Sequence, residues 1–265
     1  MGKNLAGLMD ILSGVGEIYS PVTRDEKTLR AQAFAELFGP ELTGNGFIRH
    51  RNNFYRVTED GFVQSVCFAQ GSPLRFIHCD ILWVPGRHGV NALLDAPFER
   101  SMGTEVGKVL EPLQSFISTR DPQAEVGGNI PDMTMDFDAW LHSQHELFVK
   151  YALPILNRPC DLQEIAGSDR VTLRKVLALL QLQRWDEAEK ALTALHAAYA
   201  EEAEKYRGAD DHAANMTKAA KTLLDALRSG DRASAEAFVR RAQEHARQDV
   251  TAFSKKLGAQ FRCRA

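Results

Sequence analysis

The residues best placed to do chemistry are Asp138, His142, His145 and Glu146, which read Asp-x-x-x-His-x-x-His-Glu. On a helix this spacing puts Asp138, His142 and either His145 or Glu146 on one broad face. Two imidazoles and a carboxylate could hold zinc or another divalent ion and leave a position open for water, the arrangement of a metal-dependent hydrolase. The order is neither HExxH nor HxxEH, so no zinc-hydrolase pattern accompanies it. A solvated helix face opposite Leu141 and Phe148 accounts for the same residues without a metal, and no cofactor is expected.

Three other groups carry potential chemistry. His78 and Asp80 are alternate residues of an apolar run, hence on one face of a strand, where the carboxylate could make the imidazole a general base. The competing reading is a polar pair on the less buried side of a sheet. Arg49, His50, Arg51 and Arg56 are interleaved with Phe54 and Tyr55. Cations beside aromatics can bind phosphates and stack bases, but basic residues on an exposed strand also discourage edge-to-edge association. Gly14-x-Gly16 lacks the third glycine of a phosphate-cradling loop and follows no convincing strand. Ser65 and Cys67 lie inside a strand, a poor place for an exposed nucleophile.

The elements that must position these groups follow from patterning. Residues 1 to 21 read as an amphipathic helix or arm, with Leu5, Leu8, Met9, Leu12 and Val15 interrupted by Asp10 and Glu17. A helix is expected over Asp25 to Phe38, bent or stopped by Gly39-Pro40. Three strands follow: Phe47 to Val57 with Asn52-Asn53 as a turn or bulge in its middle, Phe62 to Ala69, and Arg75 to Val84, ended by Pro85-Gly86. The tight turns at Glu59-Asp60-Gly61 and Gly71-Ser72-Pro73 make them an antiparallel meander, with Ile77, Cys79, Ile81 and Trp83 on the core face. Further strands are expected near Ser101 to Val109 and Thr134 to Phe137, with a mobile loop around Asp121 to Pro131. Asp138 to Leu156 is the next helix.

From Ser168 alanine becomes frequent and β-branched residues sparse, which favours helix. Four helices are expected, over 169–183, 185–206, 211–228 and 231–257. Leu173, Val176, Leu177 and Leu180 form one stripe; Trp185, Ala188, Leu192, Leu195, Tyr199 and Tyr206 form another. Ser229-Gly230-Asp231 is a helix stop followed by an N-cap. The runs 182–188 and 227–233 share a faint pattern, each like the bend of a helical hairpin in tetratricopeptide-like repeats; an antiparallel four-helix arrangement serves equally well. The fold class is therefore α+β: an antiparallel meander sheet packed with helices, followed by an all-α C-terminal helical hairpin or bundle. The expected division is an arm over 1–21, an α+β domain over 22–167 and a helical domain over 168–265.

Composition narrows the class. The 265 residues are 44% hydrophobic and 25% charged, ordinary globular usage that argues against disorder or a rod. From Asp169 onward there are 18 Lys and Arg against 14 Asp and Glu, a charge of +4; the remaining 14 and 21 give −7 in front. An overall charge of −3 argues against a dedicated nucleic-acid binder. Cys67, Cys79, Cys160 and Cys263 have neither zinc-site nor CxxC spacing, which suits a reducing compartment. No signal-peptide pattern opens the chain, no segment is long and apolar enough to cross a membrane, and Ala6 stands where a myristoylation site wants Ser or Thr. A cytoplasmic location is the expectation.

The stretch from Leu37 to Val84 resembles an uncharacterised bacterial family, the domain of unknown function numbered four-three-zero-four. The resemblance lies in Leu42 with Gly46-Phe47, basic Arg49 and Arg51, Phe54-Tyr55-Arg56, Asp60-Gly61, the run Val63 to Phe68 and the strand Phe76 to Trp83. The run Trp140 to Leu156, ending Leu153-Pro154-Ile155-Leu156, is similar to the family's closing helix. The likeness covers about residues 25–165 and implies a fold but no catalytic residue, with the helices after Ser168 as an addition.

These readings combine into an expectation of a non-enzymatic cytosolic protein-binding module, of the kind that caps a toxic enzyme in an immunity or antidote role, with a protein as partner. The alternatives are the hydrolase built on Asp138, His142, His145 and Glu146, and nucleic-acid association through Arg49, Arg51 and Arg56. Binding through Arg49, Arg51, Tyr55, Arg56, His78 and Asp80 is the site expectation.

Overall fold

A computed structural model of the chain describes residues 23–58, 61–70, 75–99, 111–126, 136–206 and 211–257. The expected N-terminal arm, Gly14-x-Gly16, the Ser101 to Val109 strand, the Gly71-Ser72-Pro73 turn and Cys263 lie outside them.

Helix α1 (Arg24–Gly44) starts at Thr23, whose hydroxyl accepts from the Glu26 amide at 3.2 Å. It does not stop at Gly39-Pro40 but runs on for four more residues. Pro40 removes one backbone bond. The apolar stripe Ala31, Phe34, Ala35, Phe38 and Leu42 is buried on both sides of it and carries the helix through. The end is closed by a Schellman turn: Gly46 (φ 81°) donates to the Thr43 carbonyl at 3.1 Å and Phe47 to that of Leu42 at 3.0 Å.

The sheet has five strands among the described residues, antiparallel and in sequence order: β1 (Ile48–His50), β2 (Asn53–Val57), β3 (Phe62–Gln70), β4 (Arg75–Trp83) and β5 (Glu111–Pro112). The single run expected over Phe47 to Val57 is thus a hairpin, turning at Arg51 (φ 56°), with Arg49 opposite Phe54 and Ile48 opposite Tyr55. On β4 Ile77, Cys79 and Trp83 are buried, as the alternation demands, and Ile81 packs against the core. Every side chain from Phe62 to Phe68 on β3 is buried.

Pro85 does not merely end β4. It occupies the first turn of a short helix, α2 (Val84–Arg87), where its missing N–H is no loss, and α3 (Gly89–Leu93) follows. Helix α4 (Leu113–Arg120) buries Leu113, Phe116 and Ile117 and was not expected. The part of the expected loop over 121–126 is an ordered turn, with Ala124 donating to the Asp121 carbonyl at 3.0 Å and Val126 to that of Ala124 at 2.9 Å. Phe137 begins a helix rather than closing a strand, because the Asp136 carboxylate caps the amides of Asp138 and Ala139. That helix, α5 (Phe137–Leu147), widens into a π-turn over Phe148–Ala152 and resumes as α6 (Leu153–Asn157). Pro154 cannot donate to the Lys150 carbonyl and would clash with it, and the wider turn absorbs that misfit. Phe34 lies 4.7, 5.9 and 5.4 Å from Phe38, Phe54 and Phe68, and Phe38 lies 5.2 Å from Phe148, ring centre to ring centre. These rings form the middle of the sheet–helix core.

The rest is helical: α7 (Leu162–Gly167), α8 (Leu173–Gln181), α9 (Trp185–Lys205), α10 (Asp211–Arg228) and α11 (Arg232–Leu257). Leu173, Val176, Leu177 and Leu180 are buried, as are Ala188, Leu192 and Leu195, whereas Tyr206 at the end of the second stripe is exposed. Contacts divide the chain into two compact units that interleave along the sequence. One takes residues 1–56, 64–81 and 107–158; the other takes 57–63, 82–106 and 159–265.

Candidate functional site

The register sorts the polar residues of the sheet by face. Phe54, Val66, Phe68, Ile77 and Cys79 face the helical core. The opposite face carries Asn53 and Tyr55 on β2, Ser65 and Cys67 on β3, and His78 and Asp80 on β4. Asn53 Nδ2 donates to the Tyr55 hydroxyl at 2.9 Å. Burial pushes the Cys67 thiol up to about 12, with the Asp80 carboxylate adding to the rise against the hydrogen bonds from Ser65 and Tyr55. Burial likewise pushes the Tyr55 phenol up to about 12, helped by Cys67. A thiolate is the reactive form of cysteine, and burial in this cluster disfavours it. His78 and Asp80 are half-buried beside it, and His78 packs 5.5 Å from the Phe76 ring.

The basic run splits. Arg56 is spent inside the fold. Its Nε donates to Gln64 Oε1 at 2.6 Å, its Nη1 to the Asn45 carbonyl at 2.7 Å and to Asn157 Oδ1 at 2.8 Å, and its Nη2 to the Leu156 carbonyl at 2.5 Å. The guanidinium lies 4.5 Å from the centre of the Phe47 ring. Asn45 and Leu156 are the carbonyl ends of α1 and α6, so the cation also meets the negative ends of two helix dipoles. Buried Gln64 donates to the same Leu156 carbonyl at 2.7 Å, and Asn157 Nδ2 to Asn45 Oδ1 at 2.8 Å.

Arg49, by contrast, is exposed and points to the α1 side of the hairpin. It lines a groove of about 660 Å³ with Arg24, Lys27, Thr28, Ala31, Gln32, Glu36, Asn52 and Phe68. Its Nε donates to the Arg51 carbonyl at 3.0 Å, which holds the side chain at the turn. Among the described residues, three cations and one carboxylate, Glu36, line the groove. Leu29, 66% exposed, stands three residues before Gln32 and seven before Glu36, on the neighbouring strip of α1.

The helical cluster does not converge. His142 Nδ1 lies 2.8 Å from the Asp138 carbonyl, its own backbone one turn back, and is exposed. His145 turns the other way, with Nε2 at 3.3 Å from Glu41 Oε2 on α1 and its ring 4.9 Å edge-on to Phe38. Glu146 borders a separate cleft with Glu125, Ser143 and Lys150. Positions 142 and 145 are about 60° apart round a helix, and the nearness of α1 draws His145 inward while His142 stays in solvent. Among the described residues no three His, Cys, Asp or Glu side chains are arranged to hold a metal ion.

One cluster was missed from sequence. In the second unit His88, between α2 and α3, sets Nε2 at 3.1 Å from Asp249 Oδ2 on α11, with both side chains 2% exposed. His245, one turn before Asp249, lies 5.9 Å from the His88 ring. The signal was available as His245-x-x-x-Asp249, an i, i+4 pair on a marked helix, but nothing in the sequence points to His88 as its partner.

Comparison with known proteins returns no match: no family model, no curated protein and no solved structure resembles the chain.

Proposed function

We propose that this chain is a non-catalytic binding protein whose partner is a protein presenting an acidic segment, received in the groove between α1 and the β1–β2 hairpin. The observation that carries the reading is the gathering of Arg24, Lys27 and Arg49 round one groove beside the exposed Leu29. Cationic rims choose partners and speed encounter, and an aliphatic anchor adds desolvated area. The acidic balance of the first 168 residues does not oppose this. At about 0.1 M salt, exposed charges more than about 10 Å away are screened, so the local cations dominate.

The test is titration of the full chain with a fluorescent Glu- and Asp-rich peptide carrying a central Leu, with a single-stranded oligonucleotide of equal charge alongside. Binding of the peptide should weaken as salt rises. The triple variant Arg24→Ala, Lys27→Ala, Arg49→Ala should weaken it on the order of ten-fold, about 0.5 kcal/mol per exposed charge. Preference for the oligonucleotide, or equal affinity in the triple variant, would replace this reading.

A further inference from the structure

Asp249 is a carboxylate removed from water inside a helical unit. Such a group needs donors, and His88 Nε2 at 3.1 Å supplies one from a segment 161 residues away in sequence. The pair ties α11 to the α2–α3 junction. His245 sits on the same face of α11, and both imidazoles pack on one aromatic ring: Phe98 lies 5.8 Å from His88 and 6.0 Å from His245. The Nδ1 atom of His245 is buried and, among the described residues, finds no hydrogen-bond partner. A proton added there would be a charge facing a second imidazole across 5.9 Å, on a partly buried ring.

We propose that His88, His245 and Asp249 form a proton-sensitive latch, which holds α11 against the segment over 84–98 while His245 is neutral and loosens it when His245 takes up a proton.

The groups facing His245 define the balance. His88 comes from the α2–α3 junction, Asp95 from the turn after α3, and Arg241 and Glu244 from α11 itself. Arg241 is held by the Ala92 carbonyl at 3.0 Å and by Asp95 at 3.3 Å, which removes much of the Asp95 charge from reach. From α10, Lys218 borders the groove that Arg241 and Asp95 line, and from α8, Arg174 stands against Gly86. Of the groups that act on the ring, His88 and Arg241 oppose a proton while Glu244 and Asp95 favour one, and the Asp249 carboxylate lies one turn along the same helix. Burial lowers the His245 imidazole below its ordinary value, and His88 and Arg241 lower it further.

The sign follows from linkage. Well above pH 6.5 neither the folded nor the unfolded state protonates this ring. Below it the unfolded or opened form gains the proton first, so stability falls as pH falls, until the folded-state midpoint is passed.

Amide hydrogen exchange across 242–253, corrected for intrinsic rate, reads this in the full chain. Protection should fall by up to ten-fold per pH unit below about pH 6.5. His245→Gln should keep the protection seen at pH 7.5 and flatten the dependence. Titration of the His245 ring protons by NMR in the unaltered protein should give a midpoint below about 6.5, and this does not depend on the variant folding. A flat wild-type profile, an unaltered slope in His245→Gln, or a ring midpoint at or above 6.5 would overturn the proposal.

Discussion

Two arginines seven residues apart show how position decides what a side chain is for. Arg49 and Arg56 belong to one basic run, yet Arg56 gives hydrogen bonds to four oxygens while Arg49 gives one to a neighbouring carbonyl. Removing Arg56 strips donors from the ends of α1 and α6 and takes the Arg56 Nε donor from Gln64 Oε1 in a buried setting. Arg56→Met should therefore cost about 2–4 kcal/mol, read as a fall in the urea midpoint. Arg56→Lys should fall between, because an ammonium keeps the charge at the helix ends but not the fork that spans them. Arg49→Ala should stay within about 0.5 kcal/mol of the unaltered protein. A large loss at Arg49, or none at Arg56, would reverse the two assignments. The sequence could not separate them: the Arg56 partners at Leu156 and Asn157 are a hundred residues away, and only the closed fold brings them near. For the same reason His142 and His145 looked like one site, although a helical wheel does not say which of its sides another helix will cover.

At the scale of elements, the bends between the C-terminal helices are alike in mechanism and unlike in residue. Both α8 and α10 end in Schellman turns. Gln183 donates to the Leu180 carbonyl at 3.0 Å and Arg184 to that of Leu179 at 2.9 Å; Gly230 donates to Leu227 at 3.1 Å and Asp231 to Ala226 at 2.9 Å. The left-handed position is filled by Gly230 (φ 78°) in one and by Gln183 (φ 56°) in the other. A side chain there costs about 1–2 kcal/mol, while an added glycine costs about 0.4–1 kcal/mol through the freer unfolded chain. Net of the two terms, Gly230→Ala should destabilise by up to about 1 kcal/mol and Gln183→Gly should stabilise by a similar amount, both measured as thermal midpoints. Equal effects of one sign would contradict the shared geometry. Helix stops of this kind were legible because they are local: Ser229-Gly230-Asp231 announces itself, with Ser234 donating its hydroxyl to Asp231 at 2.7 Å just inside α11. The continuation of α1 through Pro40 was not, because burial of Leu42 overrides a local stop signal. Neither were α2 and α3, too short to show a period, nor the small strand β5.

At the scale of the molecule, the change of composition near Ser168 does not coincide with how contacts divide the chain, since residues 57–63 and 82–106 belong with 159–265. The interleaving follows from two connected strands. β3 begins at Phe62 and β4 ends at Trp83, both within the second unit, where Val84 donates to the Gly61 carbonyl at 3.1 Å. Beyond that point Val84, Ala92 and Leu93 are buried, α2 and α3 pack on α8 and α11, and Gly89 approaches so closely that a Cβ there would stand 3.4 Å from Leu173. A fragment of residues 168–265 keeps four well-formed helices in sequence but lacks this wall. It would expose the faces that Val84, Ala92 and Leu93 cover, worth about 1–3 kcal/mol for each large side chain, and would leave Asp249 without its His88 donor, a further loss of several kcal/mol. That sum is of the order of the whole stability of a domain, about 5–15 kcal/mol. The isolated fragment should therefore melt broadly and far below the helical signal of the full chain by circular dichroism. Joining residues 82–106 to it through a flexible linker should restore a cooperative transition. A fragment that melts as sharply and as high as the intact protein would show that the four helices are self-sufficient, and that the packing of 84–98 on α11 adds nothing to their stability.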